Sequence, residues 1–227
     1  LELNHSTKES RNWLNKHFAF ISHRVDLIGF DTIKQIVSNG KLIFTDIDAE
    51  SRCLLEYVVE NKAYMLTPEN VVCAFVHYRN ERVETLDNYL EAVGHKVNLF
   101  DVPLHYNMFQ ASQEGKDYDL RNILKNTLVE HHCELAVTFV DNHDSQKGSS
   151  LESEVEDWFK PLAYGLIFMM KDGYPCLFYG DYYGVKGEKS PHTKIIDILL
   201  NARKKYAYGD QVDYFDHPST VGFIRTG

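Results

Sequence analysis

The chain is poor in positive charge. Its 24 Lys and Arg stand against 33 Asp and Glu, a formal net charge of −9 over 227 residues. A nucleic-acid partner needs clustered cations to meet phosphates, so that class is excluded. Long hydrophobic runs are also missing, and none approaches the length of a membrane span. No positively charged then apolar leader opens the sequence. The expectation is a soluble protein, cytoplasmic or secreted, with no membrane partner. Only four cysteines occur, at Cys53, Cys73, Cys133 and Cys176. Their wide spacing and the absence of a CxxC pair exclude a zinc knuckle and a small disulfide scaffold, leaving buried thiols as the expectation. Internal repeats and low-complexity linkers are absent, and no sequence feature fixes an oligomeric state.

What is present is ordinary globular material, 44% apolar and 25% charged, with 13% aromatic residues. Surplus Tyr and Trp either fill a core or line a sugar site, and composition alone leaves both open. Short apolar runs recur, and each ends in polar residues: "VDLIGFD" (25–31), "VVCAFVHY" (71–78), "KVNLFDVPL" (96–104), "ELAVTFVDNHD" (134–144) and "GYPCLFYGD" (173–181). Near-continuous apolar runs of this length read as strands buried on both faces, which is the signature of parallel strands.

Stretches of helical character lie around them. "HSTKESRNWLNKHFAFI" precedes the first run and "RVETLDNYLEAVG" follows the second. In the latter, Val83, Leu86, Tyr89 and Leu90 share one face and Gly94 is a natural stop. "DLRNILKNTLVEHH" precedes the fourth run, "EDWFKPLAYGLIFMMKDG" the fifth, and "TKIIDILLNARKKYAYG" follows it. Alternating strand and helix predict an α/β fold with a parallel sheet. The polar residues gather at the C-terminal ends of the strands, where such folds build their sites.

The sequence carries a more specific signal. "AVTFVDNHDSQKG" followed by "VEDWFKPLAYGLIFMMKDGYPCLFYGDYYGVKG" resembles the C-terminal half of the catalytic barrel of α-amylases, in the glycoside hydrolase family that includes the bacterial liquefying enzymes. "NLFDVPLHYNMFQAS", "DYDLRNILKNTLV" and "NARKKYAYGDQVDYFDHPSTVGFIRTG" extend the resemblance in the same order, so that it runs nearly unbroken from Val83 to Gly227. It is looser over 3–36, and 37–71 reads as a divergent or inserted stretch. The resemblance implies that residues 1–227 form a partial TIM (β/α)8 barrel, about strands four to eight with flanking helices. A complete barrel domain takes roughly 250 residues.

The resemblance also assigns roles. Retaining glycosidases use a nucleophilic carboxylate and an acid/base carboxylate about 5 Å apart. In "VDLIGFDTIKQI", Asp31 falls on the nucleophile and Lys34 on a substrate-contacting lysine. Gly29 stands where the family has an arginine and Gln35 where it has a histidine. Asp31 also has a reading as a plain helix N-cap after a strand. The general-acid glutamate falls on His77 within "FVHYR", with Tyr78 retained as a substrate contact and Arg79 in place of a tryptophan. A histidine can donate a proton near neutral pH. Glu81 lies nearby, and Glu56–Tyr57 in "LLEYVVEN" offers a rival match. Asp144 matches the family's third acid, which stabilises the oxocarbenium-like transition state, and His143 a hydrogen-bond partner of a sugar hydroxyl. Asp141 and Asn142 can equally be turn-shaping residues. Asp101 and Asp181 follow family positions near strand ends, Asp101 with a structural part. Calcium is the implied cofactor, with the Gln35 backbone carbonyl as one remnant ligand; hard cations want six to eight oxygens.

The expected function is therefore retaining endo-hydrolysis of α-1,4-glucosidic bonds in starch or glycogen, with an α-glucan as partner. The alternatives are a catalytically inactive glucan-binding pseudoenzyme and a truncated remnant.

Overall fold

The computed structural model describes residues 27–33, 36–38, 41–43, 71–76, 82–95, 98–149, 151–185 and 187–227. The first four segments are described as backbone. The chain divides into two compact units, one of residues 1–80 and 84–100, the other of 81–83 and 101–227.

In the first unit, β1 (Leu27–Ile33) pairs in parallel with β4 (Val71–Val76), aligning Leu27 with Val71 and Phe30 with Ala74. Strand β4 pairs in parallel with β5 (Asn98–Phe100) through Cys73–Asn98 and Ala74–Leu99. Between β1 and β4, β2 (Ile36–Ser38) and β3 (Lys41–Ile43) form an antiparallel pair within the divergent stretch. Helix α1 (Val83–Val93) buries Val83, Leu86, Tyr89 and Leu90, the face expected from their spacing. It stops at Gly94, whose φ of 64° is cheap only without a Cβ.

The second unit is built on β6 (Ala136–Phe139), every residue of which is buried, paired in parallel with β7 (Tyr174–Cys176). Burial on both faces is what its unbroken apolar run dictates. Helix α2 (Val102–Glu114) starts directly after β5, so the third apolar run ends as strand at Phe100 and its "VPL" is already helical. Asp101 causes the switch: its carboxylate caps the Leu104 amide, and Pro103 sits in the first turn, where a missing N–H costs nothing.

The stretch expected as a helix before β6 is instead broken. It contains a 3₁₀ turn (Leu120–Asn122) and the short α3 (Leu128–His131). Asn126 interrupts it with a φ of 55°, and Thr127 is extended, its Oγ accepting from the Glu130 amide. Asn tolerates that left-handed conformation, and Thr favours a new N-cap over helix continuation.

Helix α4 (Lys160–Met169) and the long α6 (Thr193–Tyr206) pack on one another and bury Ala163, Tyr164, Ile167, Phe168 and Ile196. Arg203, Lys204 and Lys205 in the last turn of α6 meet its negative dipole end. The fifth apolar run stops as strand at Cys176, and "YGDYY" turns into the short α5 (Tyr179–Tyr183). Gly173, just before β7, has a φ of 81°, and a Cβ there would lie 2.7 Å from Thr138 Cγ2. The chain closes with an antiparallel hairpin of β8 (Gln211–His217) and β9 (Thr220–Arg225), tied to the 3₁₀ turn by the Leu120 amide donating to the Pro218 carbonyl. Among the described residues, no helix is long and apolar enough to cross a membrane.

Candidate catalytic turn

The polar rim after β6 is a tightly bonded turn. Asp141 is buried, and its Oδ1 accepts from Ser145 Oγ at 2.7 Å and from the Val155 amide at 3.3 Å. Ser145 Oγ in turn accepts the Asn142 amide at 2.9 Å. Asn142 Oδ1 accepts the amides of Asp144 at 3.0 Å and Ser145 at 2.8 Å, which is an Asx turn. The two residues that could merely shape a turn therefore do so, and the next two are what the turn presents. His143 Nε2 stands 3.7 Å from Asp144 Oδ1, with side-chain exposures of 60% and 29%. Behind them the His143 carbonyl is fixed by Gln146 Nε2 and Ser149 Oγ, both at 3.0 Å.

Behind the turn lies a largely buried charged cluster. Lys160, the first residue of α4, places Nζ 2.6 Å from Asp181 Oδ1, 2.9 Å from Glu154 Oε1 and 3.2 Å from Asp141 Oδ2. The first two contacts are hydrogen bonds; Asp141 Oδ2 is paired with the ammonium by charge. Tyr164 donates its hydroxyl to Asp181 Oδ2 at 2.6 Å, and Ser190 donates to the Asp181 carbonyl. Burial pushes the Asp141 carboxyl up to about 7, with Lys160 pulling down and the Asp181 charge pushing up. Burial alone would lower Lys160, but Asp181 and Asp141 outweigh it and hold the ammonium charged, its pKa raised.

A second buried polar group braces β6. His105 on α2 donates Nδ1–H to the Val140 carbonyl at 2.6 Å, which leaves Nε2 to accept from Ser153 Oγ at 2.9 Å. Its ring stacks on Phe139, centroids 5.2 Å apart and planes 8° from parallel. Burial pushes His105 down to about 4. A histidine lowered in the folded state stays neutral while the unfolded chain protonates near 6.5. Its contribution is intact above that pH and is lost as pH falls from about 6.5 to about 4. Asp101 and Asp141, both raised by burial, act in the opposite sense. Comparing the chain with His105→Gln cancels them. The stability gap between the two proteins in urea unfolding should shrink by on the order of 3 kcal/mol between pH 7 and pH 4. A constant gap would mean that His105 is not neutral in the fold.

Of the residues singled out in the sequence, the structure brings together His143 and Asp144. Asp31 lies within β1 in the first unit, where it is described as backbone. Lys34, Gln35, His77, Tyr78 and Arg79, with Glu56, Tyr57 and Glu81, lie outside the described residues. Asp181 is the buried partner of Lys160, and Asp101 is structural as expected: fully buried, it accepts from the amides of Leu104 (3.0 Å), Leu128 (3.0 Å) and Val129 (2.8 Å). Among the described residues, no group of three or more His, Cys, Asp or Glu could hold a metal ion. The carboxylates of Asp141, Glu154 and Asp181 already surround an ammonium. Lys160 and His105 were not foreseen. The one available signal for Lys160 was a lone cation heading the apolar helix "KPLAYGLIFM".

No family model matches the chain. It is 47% identical over 168 residues to a glucan 1,4-α-maltohexaosidase of Bacillus sp. (strain 707), covering 74% of this chain and 32% of that protein. It is 51% identical over 154 residues to an α-amylase of Bacillus licheniformis, covering 66% and 30%. A cytoplasmic α-amylase of Escherichia coli (strain K12) is 41% identical over 161 residues, covering 66% and 32%. The chain thus spans about a third of the length of the curated relatives it matches.

Proposed function

Since the chain belongs to the α-amylase family over the matched two thirds of its length, we propose that it carries part of the barrel of an endo-acting, retaining hydrolase of α-1,4-glucosidic bonds in starch or glycogen. The parallel strands β1, β4, β5, β6 and β7 are read as strands four to eight of that barrel. In this reading Asp31 attacks the anomeric carbon, residue 77 protonates the leaving oxygen, and Asp144 stabilises the positive charge that develops on the sugar ring. Lys34, Tyr78 and His143 hold sugar hydroxyls.

The observation that carries the reading is the turn after β6. Asp141, Asn142 and Ser145 bond to one another and to the backbone of the turn, which sets the Asp144 carboxylate and the His143 imidazole after the C-terminal end of a buried parallel strand. A preorganised charge aimed at a cationic transition state is worth about 10²–10³-fold in rate. Calcium, with the Gln35 backbone carbonyl as one ligand, belongs to the same reading, and no step of it passes through the ion. The second reading, glucan binding without turnover, is favoured by one feature, the imidazole of His77 at the acid position.

Reducing-end release from soluble starch tests the proposal. Asp144→Asn, isosteric but uncharged, should lower the rate by about 10²–10³-fold while starch affinity changes little. Equal rates for the chain and this variant would remove hydrolysis at this turn. Retained starch binding with no turnover in either would establish the binding reading instead.

A further inference from the structure

We propose that Lys160 is a positioning residue for the Asp144 turn: its ammonium, held between Asp141 after β6 and Asp181 on α5, locks the backbone of residues 141–145 and so fixes where His143 and Asp144 stand. The side chains of Lys160, Asp141 and Asp181 are 4%, 1% and 4% exposed.

The lock is a continuous series of contacts. Lys160 Nζ faces Asp141 Oδ2, which has no hydrogen bond of its own. The other oxygen, Asp141 Oδ1, receives Ser145 Oγ–H and the Val155 amide. Ser145 Oγ receives the Asn142 amide, and Asn142 Oδ1 receives the amides of Asp144 and Ser145. Removing the ammonium leaves Asp141 and Asp181 as buried carboxylates without a counter-charge. Such groups protonate or swing toward water. Protonation weakens the acceptor that Oδ1 offers Ser145, and swinging out removes it; either loosens the next links. The other groups around Lys160 are the Glu154 carboxylate at 2.9 Å and the Tyr164 hydroxyl, which is bound to Asp181. Glu154 also accepts the Lys147 amide at 2.8 Å, two residues past the turn.

The position of Lys160 explains why one residue can do this. It heads the helix that connects β6 to β7, and its two buried partners follow the C-terminal ends of those strands. It thus straps together two neighbouring strand ends at the rim. The consequence for sugar chemistry rests on the function proposed above; the locking of the turn does not.

Backbone amide exchange, followed by NMR on the ¹⁵N-labelled chain and on Lys160→Met, tests the lock. At pH 7 the amides of Asp144 and Ser145 should exchange roughly tenfold faster or more in the variant, while those of Leu199 to Asn201 in α6 keep their rates. Uniform acceleration through α6 would reduce Lys160 to a general structural part. An unchanged turn would also overturn the proposal. If circular dichroism shows that Lys160→Met does not fold, Asp141→Asn, which keeps the shape and removes the charge partner, must loosen the same two amides; unaltered exchange in it overturns the proposal equally.

Starch turnover is the second arm. Loosening of the turn should lower kcat with KM nearly unchanged, and full turnover on a loosened turn would refute a positioning role in catalysis. If the unmodified chain neither binds nor cleaves starch while the turn still loosens in the variant, the proposed function fails and the lock stands.

Discussion

Starch hydrolysis by His77→Glu should exceed that of the unmodified chain by on the order of 10²–10⁴-fold, the usual worth of a correctly placed general acid. The expectation follows from reach and charge together. If position 77 is the acid position, as proposed, a glutamic acid there places an O–H at the glycosidic oxygen and becomes a carboxylate once the proton has left. That carboxylate can then activate the water that releases the covalent sugar. An imidazole is shorter in reach and carries positive charge when it is able to donate, beside a transition state that is itself becoming cationic. The pH profiles should differ as well. Histidine donates only in its protonated form, so turnover by the unmodified chain should fall as rising pH removes that proton. In the variant, the limit should move to the deprotonation of the new carboxylic acid. Asp31→Asn, at the proposed nucleophile, supplies the baseline and should abolish turnover in both backgrounds. If His77→Glu gains nothing while it remains folded, position 77 is not the acid position, and the rival Glu56–Tyr57 match is the next to vary.

Asp101→Ala should destabilise the second unit by on the order of 4 kcal/mol in urea unfolding at pH 7. One buried carboxylate serves two helix starts there, accepting from Leu104 at the head of α2 and from Leu128 and Val129 at the head of α3. Each abandoned amide costs about 1–3 kcal/mol when it stays dry. Burial pushes the carboxyl up to about 6 against the pull of those three amides, so part of the cost of burying the charge is recovered when it is removed. For that reason the expected loss lies below the sum of the three bonds. Asp101→Asn should lose less, because one oxygen still accepts, although its NH₂ then faces amide donors. A loss under about 1 kcal/mol for Asp101→Ala would mean that water reaches those amides in the variant.

Asp101 also marks how far the sequence reaches. Its acid in "NLFDVPL" was legible as a structural residue at a strand end, and its cap on Leu104 lies three positions away, within local reach. Its bonds to Leu128 and Val129 cross 27 and 28 positions and had no local signal. The same contrast runs through the candidate site. "VTFVDNHD" announced a buried parallel strand that delivers His143 and Asp144 to a rim, and β6 does so. Nothing in those residues named Lys160 or His105 as what holds the rim in place.

By itself, then, the sequence determined the α/β character, the identity of the parallel strands, the apolar face of α1 and the family of the chain. Those properties follow from periodicity and residue type, which record how each short segment meets solvent and core. Only the tertiary structure decided that "DLRNILKNTLVEHH" breaks at Asn126, that Asp141 and Asp181 share the ammonium of Lys160, and that His105 is a neutral strut against Val140. Each of those depends on a buried charge or donor finding its partner across space. Burial makes the pairing compulsory, but only the packed fold fixes which residue answers it.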